Sequence, residues 1–367
     1  MTSLSYIIEK VSKIQMEKLE NYASEVTSKT TLNNQKESPW LFGKTFFHKN
    51  ANLLLHKEIV EFAKWIRPSK EEIHLRLHSI YIFQNVVSSI WKNAKVIYHG
   101  SFAEYSNLPN GDLDLFIINY PQNIDAESIF KELQKKLSEV DFYSKCKIIL
   151  TSAVPIMKLV DNFFGFKFDI SLKNERAAIN IIRFRKQMEV YPAMYPILMY
   201  VKSLLFPNKM YLPYYGGINS YTLYTMIISV IQSTPEKDQL NCGFLLLKFL
   251  KLFGYDFNYY TTGMSIKNGG FLFNKIEKGI IDWNHPEALA VEDQLIYEFY
   301  QGKLSYRVQE FKEICQSTYE KIMNNMDLVM KEAKNGNSLL QGTILSLDEF
   351  LQKKSEFVQQ YNEIFQS

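Results

Sequence analysis

The segment DLDLFII, Asp112 to Ile118, constrains this chain more tightly than any other. Its alternation is that of a strand whose Leu113 and Leu115 face a core, and the same alternation sets Asp112 and Asp114 side by side on the opposite face. Two carboxylates at such range repel unless a proton or a cation intervenes. A later run, FKFDISL, places a third carboxylate, Asp169, among apolar neighbours, and the strand KVIYHGS ends on Gly100-Ser101 shortly before the pair. All three aspartates interrupt runs that ought to be buried, where an unpaired charge is costly. A cluster of hard oxygen donors suits Mg²⁺, which keeps several waters and shares phosphate oxygens with a substrate. A glycine-serine turn beside it offers a backbone N–H and a hydroxyl to phosphate. The chemistry this combination points to is metal-assisted phosphoryl transfer.

Around these strands the pattern is mixed. HKEIVEFAKWIRP has helical spacing up to Pro68, and Ser69 with Glu72 forms a capping box before a helix that runs to Trp91. The strand KVIYHGS follows, then LDLFIINY, the helix AESIFKELQKKLSEV, the strand CKIILTSA, and a hairpin VPIMKLVDNFFGFKFDISL with DNFFG as its turn. Beyond about residue 175 strand signals fade, and long helical patterns succeed one another, among them RAAINIIRFRKQMEVY, AMYPILMYVKSLLF and SYTLYTMIISVIQ. The N-terminal 22 residues carry a loose helical period, and ASEVTSKTTLNNQKESP after them reads as a flexible linker. SLDEFLQ opens a terminal helix. The expected fold class is therefore α/β plus α. A catalytic domain over 88–180 joins a helical domain drawn from 48–87 and 181–332, with a flexible segment at 1–38 and a helical tail at 333–367.

Composition narrows the function classes. The 367 residues carry a net charge of +3, which permits a nucleic-acid partner without demanding one. Three cysteines stand far apart, so a reduced intracellular set is expected rather than a disulfide framework or a cysteine metal site. No run of about 18 apolar residues occurs, so neither a membrane span nor a signal peptide is expected, and the location is nuclear or cytoplasmic. Six histidines lack zinc-ligand spacing; His74 and His78 lie four apart on an ordinary amphipathic helix.

GSF, LPNGDLDLFI, VPIMKLVD, FDISL and YYGGINSYTLYTMIISVIQ, in this order, resemble the non-canonical poly(A) polymerases and terminal uridylyltransferases of the DNA-polymerase-beta-like nucleotidyltransferase superfamily, above all the Trf-type adenylyltransferases. The similarity runs from Pro39 through KLSYRVQEFKEICQSTYEKI, and GYDFNYYTTGMSIKNGG with LAVED matches the family's poly(A)-polymerase-associated segment. The resemblance implies a polymerase-beta-like domain with a mixed sheet beside a helical central domain, the two enclosing nucleotide and RNA end. It further implies template-independent transfer of AMP from ATP to an RNA 3′ hydroxyl with Mg²⁺, or Mn²⁺ in its place. Asp112, Asp114 and Asp169 match the catalytic metal-binding triad, Asp169 also helping to activate the hydroxyl. Gly100 and Ser101 match the phosphate-holding turn, Lys202 a helix lysine that reaches the triphosphate, and Asn180 a ribose contact of related uridylyltransferases. Ser220 matches a nucleotide contact and Tyr221 the aromatic on which the base stacks.

Three departures from the family pattern matter. Glu104-Tyr105 stands where Thr-Gly is usual, Gly111 replaces a serine, and Phe299 and Tyr300 fall where uracil-selective members place a histidine. The last favours ATP. A uridylyltransferase using UTP and a catalytically silent RNA-binding or scaffolding relative are the rival readings. With no RRM signature or zinc knuckle in the sequence, an RNA-binding partner protein is expected to supply RNA affinity.

Overall fold

The computed structural model describes residues 4–22, 38–42, 44, 48–151, 154–172, 174–294, 299–332 and 338–365. They fall into two compact units. The first gathers the described residues within 1–32, 67–186 and 350–367, and the second those within 33–66 and 187–349.

The first unit is built on a five-stranded sheet: β1 (Lys95–His99), β2 (Leu113–Ile118), β3 (Tyr143–Ile149), β4 (Ile156–Asp161) and β5 (Lys167–Leu172), in the order β1-β2-β5-β4-β3. Only β2 and β5 run parallel; the other pairs are antiparallel. The expected hairpin is β4–β5. Asp161 holds its turn, one carboxylate oxygen accepting from the backbone N–H of Phe163, Phe164 and Gly165 while the other accepts from Ser79 at 2.8 Å. Against the sheet lie α1 (Leu4–Tyr22), α3 (Lys70–Ile90), the single turn α4 (Gly100–Ala103), α5 (Ala126–Glu139) and the terminal helix α11 (Leu347–Phe365). The core joins Leu75, Phe83 and Val87 of α3 to Leu113, Leu115, Phe168 and Ile170 of the sheet, and to Phe130 and Leu133 of α5. Ser69 caps α3 as its spacing predicts, accepting from the Glu72 N–H at 3.2 Å.

An exposed strand edge is a hazard, and β1 is an edge strand. Two buried glutamines cover it. Gln84 donates to the Ala94 carbonyl at 3.1 Å and accepts from the Val96 N–H, while Gln15 of α1 donates to the Tyr98 carbonyl at 2.9 Å and accepts from its N–H. Side-chain amides thus take the place of a sixth strand.

The second unit packs α2 (Ala51–Ile66) on α7 (Met194–Leu205) and α9 (Cys242–Lys251), α7 on α8 (Ser220–Gln232), and α9 on α10 (Val308–Glu332). The helix α6 (Glu175–Val190) runs from the first unit into it. A Cβ at Gly243 would stand 2.2 Å from the Asn52 carbonyl, so this glycine lets α9 approach α2. Buried Glu58 gathers three segments by accepting from Trp40 Nε1 at 2.9 Å, Ser338 Oγ and the Leu339 N–H at 2.7 Å. A second sheet, in the order β7-β6-β8-β9, joins β6 (Thr262–Ser265), β7 (Phe271–Asn274), β8 (Val291–Glu292) and β9 (Tyr300–Gln301).

Several expected boundaries differ from this arrangement. The sequence pattern groups α3 through residue 87 with the helical domain and sets 333–367 apart as a tail, yet α3 and α11 both pack in the first unit. Within the segment expected to be flexible, α1 packs against β1 through Ile8 and Gln15. The linker itself, 23–37, lies outside the described residues. Helical period tells which residues share a face, but not which core that face meets. The small second sheet escaped sequence reading because its strands are two to four residues long, too short to show alternation.

The glutamine clamps give a direct test. Gln84→Leu strands the Ala94 carbonyl and the Val96 N–H and should destabilise the protein by about 1–3 kcal/mol in urea unfolding, whereas Gln84→Glu, which keeps the acceptor, should lose less.

Candidate active site

Sheet register assembles the site. Asp114 on β2 sits directly beside Asp169 on β5, His99 lies beside Asp114 on the β1 side, and Lys158 of β4 lies beside Asp169. Residues in register on neighbouring strands project from the same face, so His99, Asp114, Asp169 and Lys158 form one row across the sheet. Asp112 lies one residue before β2 begins, two along from Asp114 and on the same side. The three sequence-predicted carboxylates therefore do converge.

The electrostatics follow from that crowding. Burial, together with the negative charges of Asp169, Asp112 and Glu104, pushes the Asp114 carboxyl up to about 8. Asp112 is raised as well, chiefly by burial, with Asp169 adding to the effect and Lys167 opposing it. Asp169 is paired with Lys158. Burial holds His99 down at about 4, so this imidazole is neutral at pH 7. Among the described residues no three carboxylate, histidine or cysteine side chains are drawn into metal-ligating geometry. A proton on Asp114 and the Lys158 ammonium on Asp169 meet the excess charge instead. The donor set of three carboxylates with mutual repulsion fits a hard divalent cation.

Gly100 and Ser101 open α4 immediately after β1. Gly100 has φ of +59°, and a Cβ there would stand 2.2 Å from Asp114 Oδ2, so both the conformation and the close approach require glycine. The glycine-serine turn is thereby pressed against the carboxylate row. Glu104, one of the two departures in this turn, is a fourth carboxylate facing Asp114 and is 8% exposed. The neighbouring Tyr105 takes φ of 54° at the position where the family pattern has glycine. A non-glycine residue in this left-handed region is uncommon and strained.

Of the remaining predicted residues, Asn180 lies half-buried on α6. Lys202 is buried on α7, and Ser220 and Tyr221 open α8; these three belong to the second unit. Asn219 caps α8, its Oδ1 accepting from the Thr222 N–H at 2.8 Å. The Tyr221 ring meets Tyr224 edge-on at 5.1 Å, and its hydroxyl accepts from the Gln294 N–H at 3.2 Å. Gln294, which sequence reasoning missed, also accepts from Gln187 at 3.1 Å, and it lies at the end of the chain stretch that β8 begins. Of the two positions matched to base reading, Tyr300 is buried on β9 against Phe273, at 5.6 Å, and is core, whereas Phe299 is exposed.

Two outcomes test this geometry. The folded state holds the Asp114 proton more tightly than the unfolded chain, so the stability it confers is complete below about pH 4 and is lost as pH rises towards about 8. Without divalent cation, Asp114→Asn should therefore melt above the wild type at about pH 8, and the gap should shrink towards about pH 5. Separately, Tyr105→Gly relieves a left-handed tyrosine and should leave the protein as stable or more stable, by up to about 1 kcal/mol in thermal unfolding.

The comparisons with known proteins agree with this picture. Residues 55–182 match the model for the central palm domain of mitochondrial-like poly(A) RNA polymerase, and residues 241–294 match that for Cid1 family poly A polymerase. The chain is 31% identical over 249 residues to Poly(A) RNA polymerase CID14 of Cryptococcus neoformans, covering 65% of this chain and 32% of that protein. It is 26% identical over 323 residues to Poly(A) RNA polymerase cid14 of Schizosaccharomyces pombe, covering 84% of this chain and 47% of that protein. The chain thus spans half or less of the length of these curated relatives. Among solved structures, the polymerase core of TRAMP, an RNA surveillance complex, superposes with a TM-score of 0.74 at 21% identity, over 84% of this chain and 99% of that one. The mixed sheet with its paired β2 and β5 carboxylates is the polymerase-beta-like nucleotidyltransferase fold. With two family models matched in order and the motif residues gathered on one sheet, the chain is similar to the non-canonical poly(A) polymerases.

Proposed function

We propose that this chain is a template-independent RNA 3′-terminal nucleotidyltransferase that adds AMP from ATP. The observation that carries this reading is the registered Asp114–Asp169 pair, with Asp112 beside it and Gly100-Ser101 pressed against it. A surface built only for stability would not collect carboxylates whose charges oppose one another. In the transfer, the RNA 3′ oxygen bonds to the α-phosphorus as the bond to the β-phosphate oxygen breaks, and pyrophosphate leaves. Asp112, Asp114 and Asp169 would hold Mg²⁺, or Mn²⁺ in its place, which when bound polarises the phosphate oxygens and offsets charge developing on the leaving group. Asp169, between Asp114 and Lys158 in the row, is assigned to accept the proton of the attacking hydroxyl. Gly100 and Ser101 present an N–H and a hydroxyl to the phosphates, and Lys202 adds a compact positive charge for the triphosphate. Asn180 is assigned to the ribose, Ser220 to the nucleotide, and Tyr221 to stacking on the base. An RNA-binding partner protein supplies the affinity that the chain's small net charge does not.

ATP is favoured over UTP because a pocket selects a base through polar groups that a wrong base leaves unpaired, and Phe299 offers none. Tyr300 is committed to the second sheet, which leaves no histidine-like donor at either matched position.

Labelled short RNA incubated with Mg²⁺ and each nucleoside triphosphate in turn tests the whole reading. Extension should be strongest with ATP, and Asp112→Ala, Asp114→Ala and Asp169→Ala should each lower it by more than about 100-fold. Retention of activity within about tenfold in any of the three would remove that residue from the catalytic set. A kcat/KM for UTP equal to or above that for ATP would make the protein a uridylyltransferase, and no extension with any nucleotide would leave a silent relative. On the same assay, Tyr221→Ala should raise the nucleotide KM by an amount worth about 1–3 kcal/mol of stacking, while Tyr221→Phe should stay close to wild type.

A further inference from the structure

Among the described residues Arg76 is the largest fully buried side chain, 0% exposed, and it lies outside the catalytic set. It extends from the second turn of α3 beneath the loop that leads into Asp112. Nε donates to Glu72 Oε1 at 2.9 Å, Nη1 to the Gly111 carbonyl at 2.8 Å and Nη2 to the Pro109 carbonyl at 3.2 Å. Glu72 Oε1 accepts in addition from Asn107 Nδ2 at 3.2 Å, so the carboxylate and the guanidinium together grip the loop at residues 107, 109 and 111. The guanidinium also lies 4.7 Å from the Phe166 ring centroid and 5.8 Å from that of Phe102.

Three of these contacts lie close along the chain to site residues. Gly111 precedes Asp112, Phe102 follows Ser101, and Phe166 stands immediately before β5, which carries Asp169. A fully buried ion pair is a poor route to stability, because well-packed apolar side chains commonly do as well. Glu72 and Asn107 each keep one buried oxygen without a partner, which is a further cost. What apolar packing cannot do is fix two carbonyls of a turn at set distances, and a planar five-donor fork can.

We propose that Arg76 is a positioning residue for the nucleotidyl transfer proposed above, its guanidinium setting the place of the Asp112 carboxylate against Asp114 and Asp169 without touching substrate or cation. A lysine keeps the charge and the pairing with Glu72 but cannot hold both carbonyls. Arg76 therefore acts on the rate of the chemical step and on cation affinity, and leaves nucleotide affinity alone.

The test uses the full chain, with Arg76→Lys and Arg76→Gln set against Phe130→Leu, a core change on α5 outside the 107–111 loop. Three quantities are read: Tm, the kcat and KM for ATP in RNA extension, and Mn²⁺ affinity by electron paramagnetic resonance without nucleotide. For both Arg76 variants kcat should fall about 100-fold with KM for ATP within about twofold, and the Mn²⁺ dissociation constant should rise about tenfold. Phe130→Leu should lose Tm to a similar extent while keeping kcat and Mn²⁺ affinity. Retention of kcat and Mn²⁺ affinity in Arg76→Lys, or equal losses in Phe130→Leu, would reduce Arg76 to a structural residue and overturn the proposal. If the wild type extends no RNA, the transferase reading fails on its own, and the Mn²⁺ measurement still decides whether Arg76 sets the carboxylates.

Discussion

Mutual repulsion among carboxylates in a single sheet row is the constraint around which the first unit is built. Two unit charges on adjacent strands about 5 Å apart repel by about 3 kcal/mol at an effective dielectric of about 20. With Asp114 and Asp169 in register, Asp112 two residues along and Glu104 facing Asp114, the charge cannot all be expressed at once. The chain meets it in two ways, by a carboxyl that holds its proton to about pH 8 and by a lysine paired with the central aspartate. Both are devices that a divalent cation bound by the three carboxylates would displace.

The surrounding framework fixes that row from several sides. Gln15 and Gln84 hold the free edge of β1, which delivers His99 and Gly100 against Asp114. Asp161 and Ser79 tie the β4–β5 turn to α3, which sets Lys158 and Asp169 at opposite positions of one hairpin. Gly100 has no room for a side chain at all, so the turn and the carboxylate are held at contact distance. Gln15, Gln84, Asp161 and Ser79 are polar and buried, and each is hydrogen-bonded.

Much of this was legible in the sequence, and the reason is the period of a strand. Alternation in DLDLFII and FKFDISL was enough to put Asp112, Asp114 and Asp169 among buried runs and to predict their convergence. Ser69 with Glu72 announced the start of α3, and DNFFG the turn of the hairpin. Register was not legible. Nothing in the pattern says that β5 lies between β2 and β4, and the hairpin alone did not fix the register that sets Lys158 beside Asp169. Nor could periodicity assign α3 and α11 to the first unit, or show that Arg76, an arginine on an otherwise amphipathic helix, turns inward to a loop 35 residues away. The departure at Glu104-Tyr105 was visible as a departure. Only the backbone shows that Tyr105 takes a left-handed conformation.

Anomalous diffraction from crystals soaked in Mn²⁺ tests the cation site most directly. A divalent centre on this row predicts a peak bounded by carboxylate oxygens of Asp112, Asp114 and Asp169, with the Lys158 ammonium withdrawn from Asp169. An intact Lys158–Asp169 pair with no peak between the aspartates would contradict it.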